Sequence, residues 1–150
     1  MVVNTAVEGN QCPVLDYGPG VEVVGIDLQD DPDDRKQVDA MPDGPAKDAA
    51  RAALPTDGPK AGDAAKDFDF VNSLIDGARS TEGAVLIHCH ASISRSAAFV
   101  LAYLVRTEGM NLVEATELMK KRWPATWPCD TFVEQLVEYE AELEKAGGRF

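Results

Sequence analysis

The chain is poor in cysteine, poor in basic residues and free of long apolar runs, and each shortage removes a class of protein. Three cysteines, scattered and odd in number, do not make a disulfide framework. No apolar run reaches the roughly 20 residues that a membrane span needs. No basic segment followed by an apolar stretch reads as a secretion signal. Lysine and arginine together number 14 against 26 aspartates and glutamates, a formal net charge of −12. That balance argues against nucleic acid, and against anionic membrane surfaces, as main partners. A local basic pocket could still bind one phosphate. At 150 residues the chain suits a single domain, spanning 1–150, with a real core.

What is present concentrates in VLIHCHASISRSAAFVLAYLV, Val85 to Val105. Val85, Leu86 and Ile87 form a short apolar, β-branched run that predicts a buried strand. Ala97 to Val105 predicts a buried helix. The loop between them, Cys89 to Arg95, then lies at a strand's C-terminal end and a helix's N-terminus. Free backbone N–H groups and the helix dipole make that a place for an anion. The same field favours a thiolate. Arg95 can grip a phosphoryl group with two parallel hydrogen bonds. Cys89 is therefore the candidate nucleophile. Arg95 and the N–H groups of His90, Ala91, Ser92, Ile93 and Ser94 are the candidate phosphate-binding set.

The segment resembles the cysteine-dependent phosphatase signature H-C-x5-R, and more closely its dual-specificity branch, H-C-x-x-G-x-S-R-S. Here it reads His88, Cys89, His90, Ala91, Ser92, Ile93, Ser94, Arg95, Ser96. One position departs, with Ser92 where the family has glycine, a residue suited to a loop needing φ > 0. The resemblance extends to FDFVNSLIDGAR ahead of the signature and to MNLVEATELMKKRWPATWPCDTFVEQLVEYEAEL behind it. It implies the cysteine-based phosphatase fold, an α/β architecture with a central, mostly parallel sheet flanked by helices. It also implies a supporting role for His88, and for the Ser96 hydroxyl in assisting the thiolate as leaving group.

Two further departures follow from the same comparison. The family's domain usually opens with another strand and helix, which this chain is expected to lack. Cys129 also stands after Pro128 where the family often has an asparagine that helps hold the loop. Cys129 reads as a small buried hydrophobe or as a thiol placed to react with an oxidised Cys89. Cys12 has no assignable role.

A phosphatase of this type needs a proton donor for the leaving oxygen, worth about 10²–10⁴-fold. The family's pattern places it just past a strand end. Aligning GIDLQD with that pattern puts the acid at Asp30, with Asp31 as the near alternative and Asp27 too close to the strand. The segment Gln29 to Asp67 that follows is rich in Asp, Ala, Pro and Gly. It reads as a mobile loop, a low-complexity insertion at about 32–66 that is dispensable for chemistry.

Elsewhere Phe68, Val71, Leu74, Ile75 and Ala78 recur at helical spacing. Asn111 and Glu114 form a capping box, and Phe132, Leu136, Tyr139 and Leu143 line one side of a last helix. Trp123 and Trp127 read as packing residues. His88 and His90 flank Cys89, but alternating residues point apart and no second ligand pair lies nearby, so no metal site and no cofactor is expected. The expected function is hydrolysis of phosphotyrosine and phosphoserine or phosphothreonine on a protein substrate through a cysteinyl-phosphate, by a monomer in cytosol or nucleus. The alternatives are a phosphate-binding module with weak or no turnover, and a phosphatase acting on a lipid, glucan or nucleotide.

Overall fold

A computed structural model describes residues 1–6, 18–26, 28, 30, 42–53 and 62–147. Asp27, Asp31 and Cys12 lie outside the described residues. Three short strands, β1 (Val2–Asn4), β2 (Val23–Gly25) and β3 (Leu86–His88), form one parallel sheet in the order β2-β1-β3. The register sets Asn4 between Gly25 and His88. The three C-terminal ends therefore finish level with one another. In open α/β sheets that edge is where ligands bind.

The helices are α1 (Pro45–Ala53), α2 (Ala65–Ser80), α3 (Arg95–Thr107), α4 (Leu112–Arg122) and α5 (Asp130–Lys145). The chain is thus an α/β fold with helices flanking a parallel sheet. α3 is the hub. Its Ala97, Ala98, Phe99, Leu101, Ala102 and Val105 are all buried, as befits a helix apolar nearly all round. Phe68 of α2 meets Phe99 of α3 edge-on at 5.5 Å and Tyr139 of α5 at 5.2 Å. Such pairs add about 0.5–1.5 kcal/mol each beyond area burial. The Tyr139 hydroxyl donates to Asp69 and accepts from Asn72. Burial and the Asp69 carboxylate hold its proton well above the ordinary tyrosine range. The predicted capping box closes the start of α4, with the Asn111 side chain accepting from Glu114 N at 2.9 Å and the Glu114 carboxylate accepting from Asn111 N at 3.0 Å.

Two expectations need correction. β3 is not a buried strand: Val85 stands outside the ladder, and Leu86 is 54% exposed. Alternate residues of a strand point to opposite faces of the sheet, and the face that Leu86 presents is open to solvent. The segment 29–67 is not loop throughout. It holds α1, which starts with proline at its first position, where the N–H would have no intrahelical partner to lose. The Asp48 N–H closes onto Gly44 O at 3.1 Å, and Lys47 pairs with Asp43 at 3.0 Å. The segment's end is also anchored. Ala64 is fully buried, and Gln135 of α5 accepts from Ala64 N at 2.9 Å and donates to Gly62 O at 3.2 Å. Alanine is the best helix former and lacks the bulk that a search for apolar faces looks for.

Candidate active site

The site grows from the C-terminal ends of the two strands that flank β1. β3 runs directly into Cys89, and β2 runs through Ile26 and Leu28 to Asp30. Asn4 and Thr5, at the end of β1, join the two. Asn4 O accepts from Ile26 N at 2.7 Å, while Thr5 donates to His88 O from its N at 2.9 Å and its Oγ1 at 3.1 Å. Leu28 is 2% exposed, and this burial anchors the run that carries Asp30 to the cavity.

Cys89, Ser94, Arg95 and Ser96 are all buried. The Cys89 sulfur accepts a hydrogen bond from Ser96 Oγ at 3.4 Å. Burial alone would push the thiol up. It is outweighed by the Ser96 hydroxyl, the backbone N–H groups of Ser96 and Ser92, and the charge of Arg95, which together leave the thiol below its ordinary value. The anion is thus stabilised by donors the fold has already placed, as expected for a reactive cysteine at a helix N-terminus. His88 contributes locally, its Nδ1 lying 3.3 Å from Cys89 O.

The loop conformation explains the family's glycine. Ser92 sits at φ 54°, in the left-handed region that costs a residue with a Cβ about 1–2 kcal/mol. Its carbonyl accepts from the Trp123 indole Nε1 at 3.0 Å, and the next carbonyl, Ile93 O, accepts from Trp127 N at 2.9 Å. The link between α4 and α5 therefore grips the loop from outside.

Ser94 is the N-cap residue of α3, yet its side chain makes no cap bond. Its hydroxyl instead donates to Asp30 Oδ1 at 2.9 Å and accepts from Cys129 N at 3.1 Å. Arg95 places Nε 3.7 Å from Asp30 Oδ2 and donates through Nη1 to Leu28 O at 3.3 Å. The loop hold expected from an asparagine side chain is thus supplied in part by the backbone of Cys129.

A cavity of about 340 Å³ opens over this cluster, lined by Asp30, Cys89, His90, Ala91, Ile93, Ser94, Arg95, Trp127 and Cys129. It gathers the nucleophile candidate, the arginine and the acid candidate. Cys129 is buried and lines the same cavity as Cys89. Among the described residues no group of three His, Cys, Asp or Glu side chains is placed to hold a metal, and no helix is long and apolar enough to cross a membrane. Sequence reasoning overlooked the Ser94 hydroxyl, the Leu28 carbonyl and the two tryptophans' grip on the loop. The first two leave no trace in spacing. The tryptophans carried a signal, lying four residues apart between two helices with Pro124 and Pro128 beside them, in a segment too short to have a core of its own.

The family model of the dual specificity phosphatase catalytic domain matches residues 34–142. The Drosophila melanogaster dual specificity protein phosphatase Mpk3 is 38% identical over 89 residues, 59% of this chain and 22% of its own length. The curated relatives it resembles are longer proteins, of which this chain spans less than half. Human DUSP28 superposes with a TM-score of 0.67 at 24% identity, over 95% of this chain and 75% of that one, which speaks to fold alone. A human tyrosine phosphatase-like serine/threonine/tyrosine-interacting protein superposes with a TM-score of 0.67 at 26% identity, over 95% of this chain and 76% of the other. With the family model matching residues 34–142, well over half of this chain, the chain belongs to the dual specificity phosphatase family.

Proposed function

We propose that this domain is a protein phosphatase, hydrolysing phosphotyrosine and phosphoserine or phosphothreonine monoesters through a cysteinyl-phosphate. The observation that carries the reading is the Cys89 sulfur, which accepts from the Ser96 hydroxyl at 3.4 Å, a contact that favours its thiolate, on the cavity that Arg95 and Asp30 also line.

In the first step the Cys89 thiolate attacks phosphorus in line. An S–P bond forms as the P–O bond to the side chain breaks, and Asp30 gives its proton to the departing oxygen. Arg95 and the loop N–H groups from His90 to Arg95 neutralise the equatorial oxygens. In the second step Asp30 takes a proton from water, whose oxygen attacks phosphorus. Inorganic phosphate leaves, and the sulfur departs as a thiolate eased out by the Ser96 hydroxyl. The loop supplies the positive field, so the sequence of steps draws on no metal or cofactor. A thiolate of this kind works in a reducing compartment, which favours cytosol or nucleus. The acidic surface disfavours polyanions such as polyphosphoinositides.

Para-nitrophenyl phosphate turnover tests the reading. Cys89→Ser abolishes turnover and keeps phosphopeptide binding, because the loop amides and Arg95 remain. Arg95→Lys is severely impaired, since an ammonium offers no planar two-point contact. Turnover retained by Cys89→Ser removes the covalent mechanism.

A second reading, phosphopeptide binding with weak or no turnover, is favoured by two departures at the loop. Ser92 stands at a left-handed position, and Cys129 replaces the side chain that supports the loop in relatives. The likeness to a phosphatase-like interacting protein points the same way. Acid quenching during turnover separates the two, because only the enzyme traps phosphate on Cys89.

A further inference from the structure

Beside the cavity lies a larger apolar groove that the chemistry above does not use. It has a volume of about 490 Å³ and runs between α4 and α5, floored by Leu101, Leu112 and Leu136. Its open walls are Val113, Val133 and Val137, exposed by 68%, 39% and 52%. Three valines left in water along one groove form a contiguous apolar patch rather than scattered single residues, and such patches mark binding surfaces.

Two observations say what covers it. The first is continuity. Trp127 lines both the groove and the Cys89 cavity. Its backbone N–H holds the phosphate loop through Ile93 O at 2.9 Å. A chain whose phosphorylated side chain enters the cavity is led over this ring into the groove. The second is charge. Glu117 and Asp130 line the groove, and Glu134 and Glu138 are exposed beside Val133 and Val137 on α5. Lys120, which also lines the groove, lies with Nζ 4.4 Å over the Trp127 ring, a cation–π contact at the junction. A second copy of this chain, with net charge −12, would bring like charges onto those carboxylates.

We infer that the α4–α5 groove is a specificity site for the polypeptide of the phosphosubstrate, taking apolar side chains flanked by lysine or arginine a few residues from the phosphorylated one. The inference rests on the phosphatase reading and deepens it by naming the substrate's flanking chemistry.

The test uses the full chain, two phosphotyrosine peptides and para-nitrophenyl phosphate. One peptide carries leucines and lysines beside the phosphotyrosine, and the other carries glycines and glutamates. Wild type favours the first by about tenfold or more in kcat/KM, the scale set by burying one or two aliphatic side chains. Val113→Glu and Val137→Glu each erase most of that preference. Both leave para-nitrophenyl phosphate turnover and melting temperature near wild type, because neither residue lines the cavity. Equal handling of the two peptides by wild type overturns the inference. So does an equal loss on both peptides and the small ester, or a concentration-dependent dimer in sedimentation that Val137→Glu dissolves. Failure of the phosphatase reading is seen separately, as absent para-nitrophenyl phosphate turnover. In that case peptide affinities of wild type and Val137→Glu still read the groove, and an unchanged ratio overturns it.

Discussion

Ser94 and Asp30 are joined by a hydrogen bond of 2.9 Å, and the same serine hydroxyl accepts the Cys129 N–H at 3.1 Å. One side chain thus ties the candidate acid, which hangs from the end of β2, to the phosphate loop and to the start of α5. An N-cap serine that spends its hydroxyl in this way leaves the first turn of α3 uncapped by its side chain, and within that turn the Ser96 N–H serves the Cys89 sulfur.

The acid's placement should therefore depend on Ser94. Asp30→Asn slows aryl phosphates with poor leaving groups by about 10²-fold or more and those with good leaving groups far less. Ser94→Ala gives the same leaving-group dependence in weaker form, and Ser94→Thr restores it by keeping the hydroxyl. A series of substituted phenyl phosphates reads the slope. If Asp31→Asn carries the dependence and Asp30→Asn does not, the acid is Asp31.

The thiol's depressed pKa gives a signed pH prediction. The thiolate is the reactive form, so reactivity falls as pH drops through the folded-state value, which lies below the ordinary one. Ser96→Ala removes the strongest of the stabilising contacts on the sulfur while burial stays, so the pKa rises. The acidic limb of iodoacetamide labelling of Cys89, followed by peptide mass, moves to higher pH, and labelling at a fixed pH on that limb drops several-fold. A limb that does not move makes the Ser96 hydroxyl irrelevant to the thiolate.

Much of this was legible before the fold was known, because it was written locally. Cys89, Arg95 and the strand-loop-helix order around them are contiguous in the chain. The α4 capping box and the buried stripe Phe68, Val71, Phe132, Leu136 and Tyr139 follow from spacing and periodicity. The contacts that complete the site are of another kind. The Ser94–Asp30 bond spans 64 residues, and the Trp123 indole reaches Ser92 O across 31. Long-range pairs of this sort have no period and no motif. α1 escaped notice because alanine gives a helix without giving it an apolar face, and the exposed side of β3 escaped because an apolar run does not say whether both faces of its strand are covered.

Ser92 at φ 54° should make the loop more stable with glycine than with serine. Relief of the left-handed strain is worth about 1–2 kcal/mol, and the greater freedom of glycine in the unfolded chain takes back about 0.5–1 kcal/mol. Ser92→Gly is then a net gain of about 0–1.5 kcal/mol, raising Tm by up to roughly 6 °C for a chain of this size. Glu82 is the control, since it has φ 55° in the exposed turn after α2. Glu82→Gly shows a similar shift in calorimetry with no change in turnover. A lower Tm for Ser92→Gly means that the serine side chain stabilises the loop by more than the strain costs.

The segment between β2 and α2 should divide into a removable part and an anchored one. α1 lays its described side chains largely in solvent, and its N-terminal contacts are local, to Gly44 and Asp43. Replacing Asp43 to Ala53 by a short glycine-serine link costs little loop entropy and leaves para-nitrophenyl phosphate turnover within a few-fold. The anchor is Gln135, whose amide holds Ala64 N and Gly62 O together beside the buried Ala64. Gln135→Leu keeps the volume and leaves both backbone groups without that partner, and because the two contacts are only partly buried the cost is about 1 kcal/mol, the low end for such groups. That is a fall of several degrees in Tm. Limited proteolysis completes the comparison, since Gln135→Leu opens the chain near Gly62 while the α1 deletion protects it. A deletion that collapses turnover, beside a Gln135→Leu protein as stable as wild type, reverses the assignment and makes α1 the element on which the domain relies.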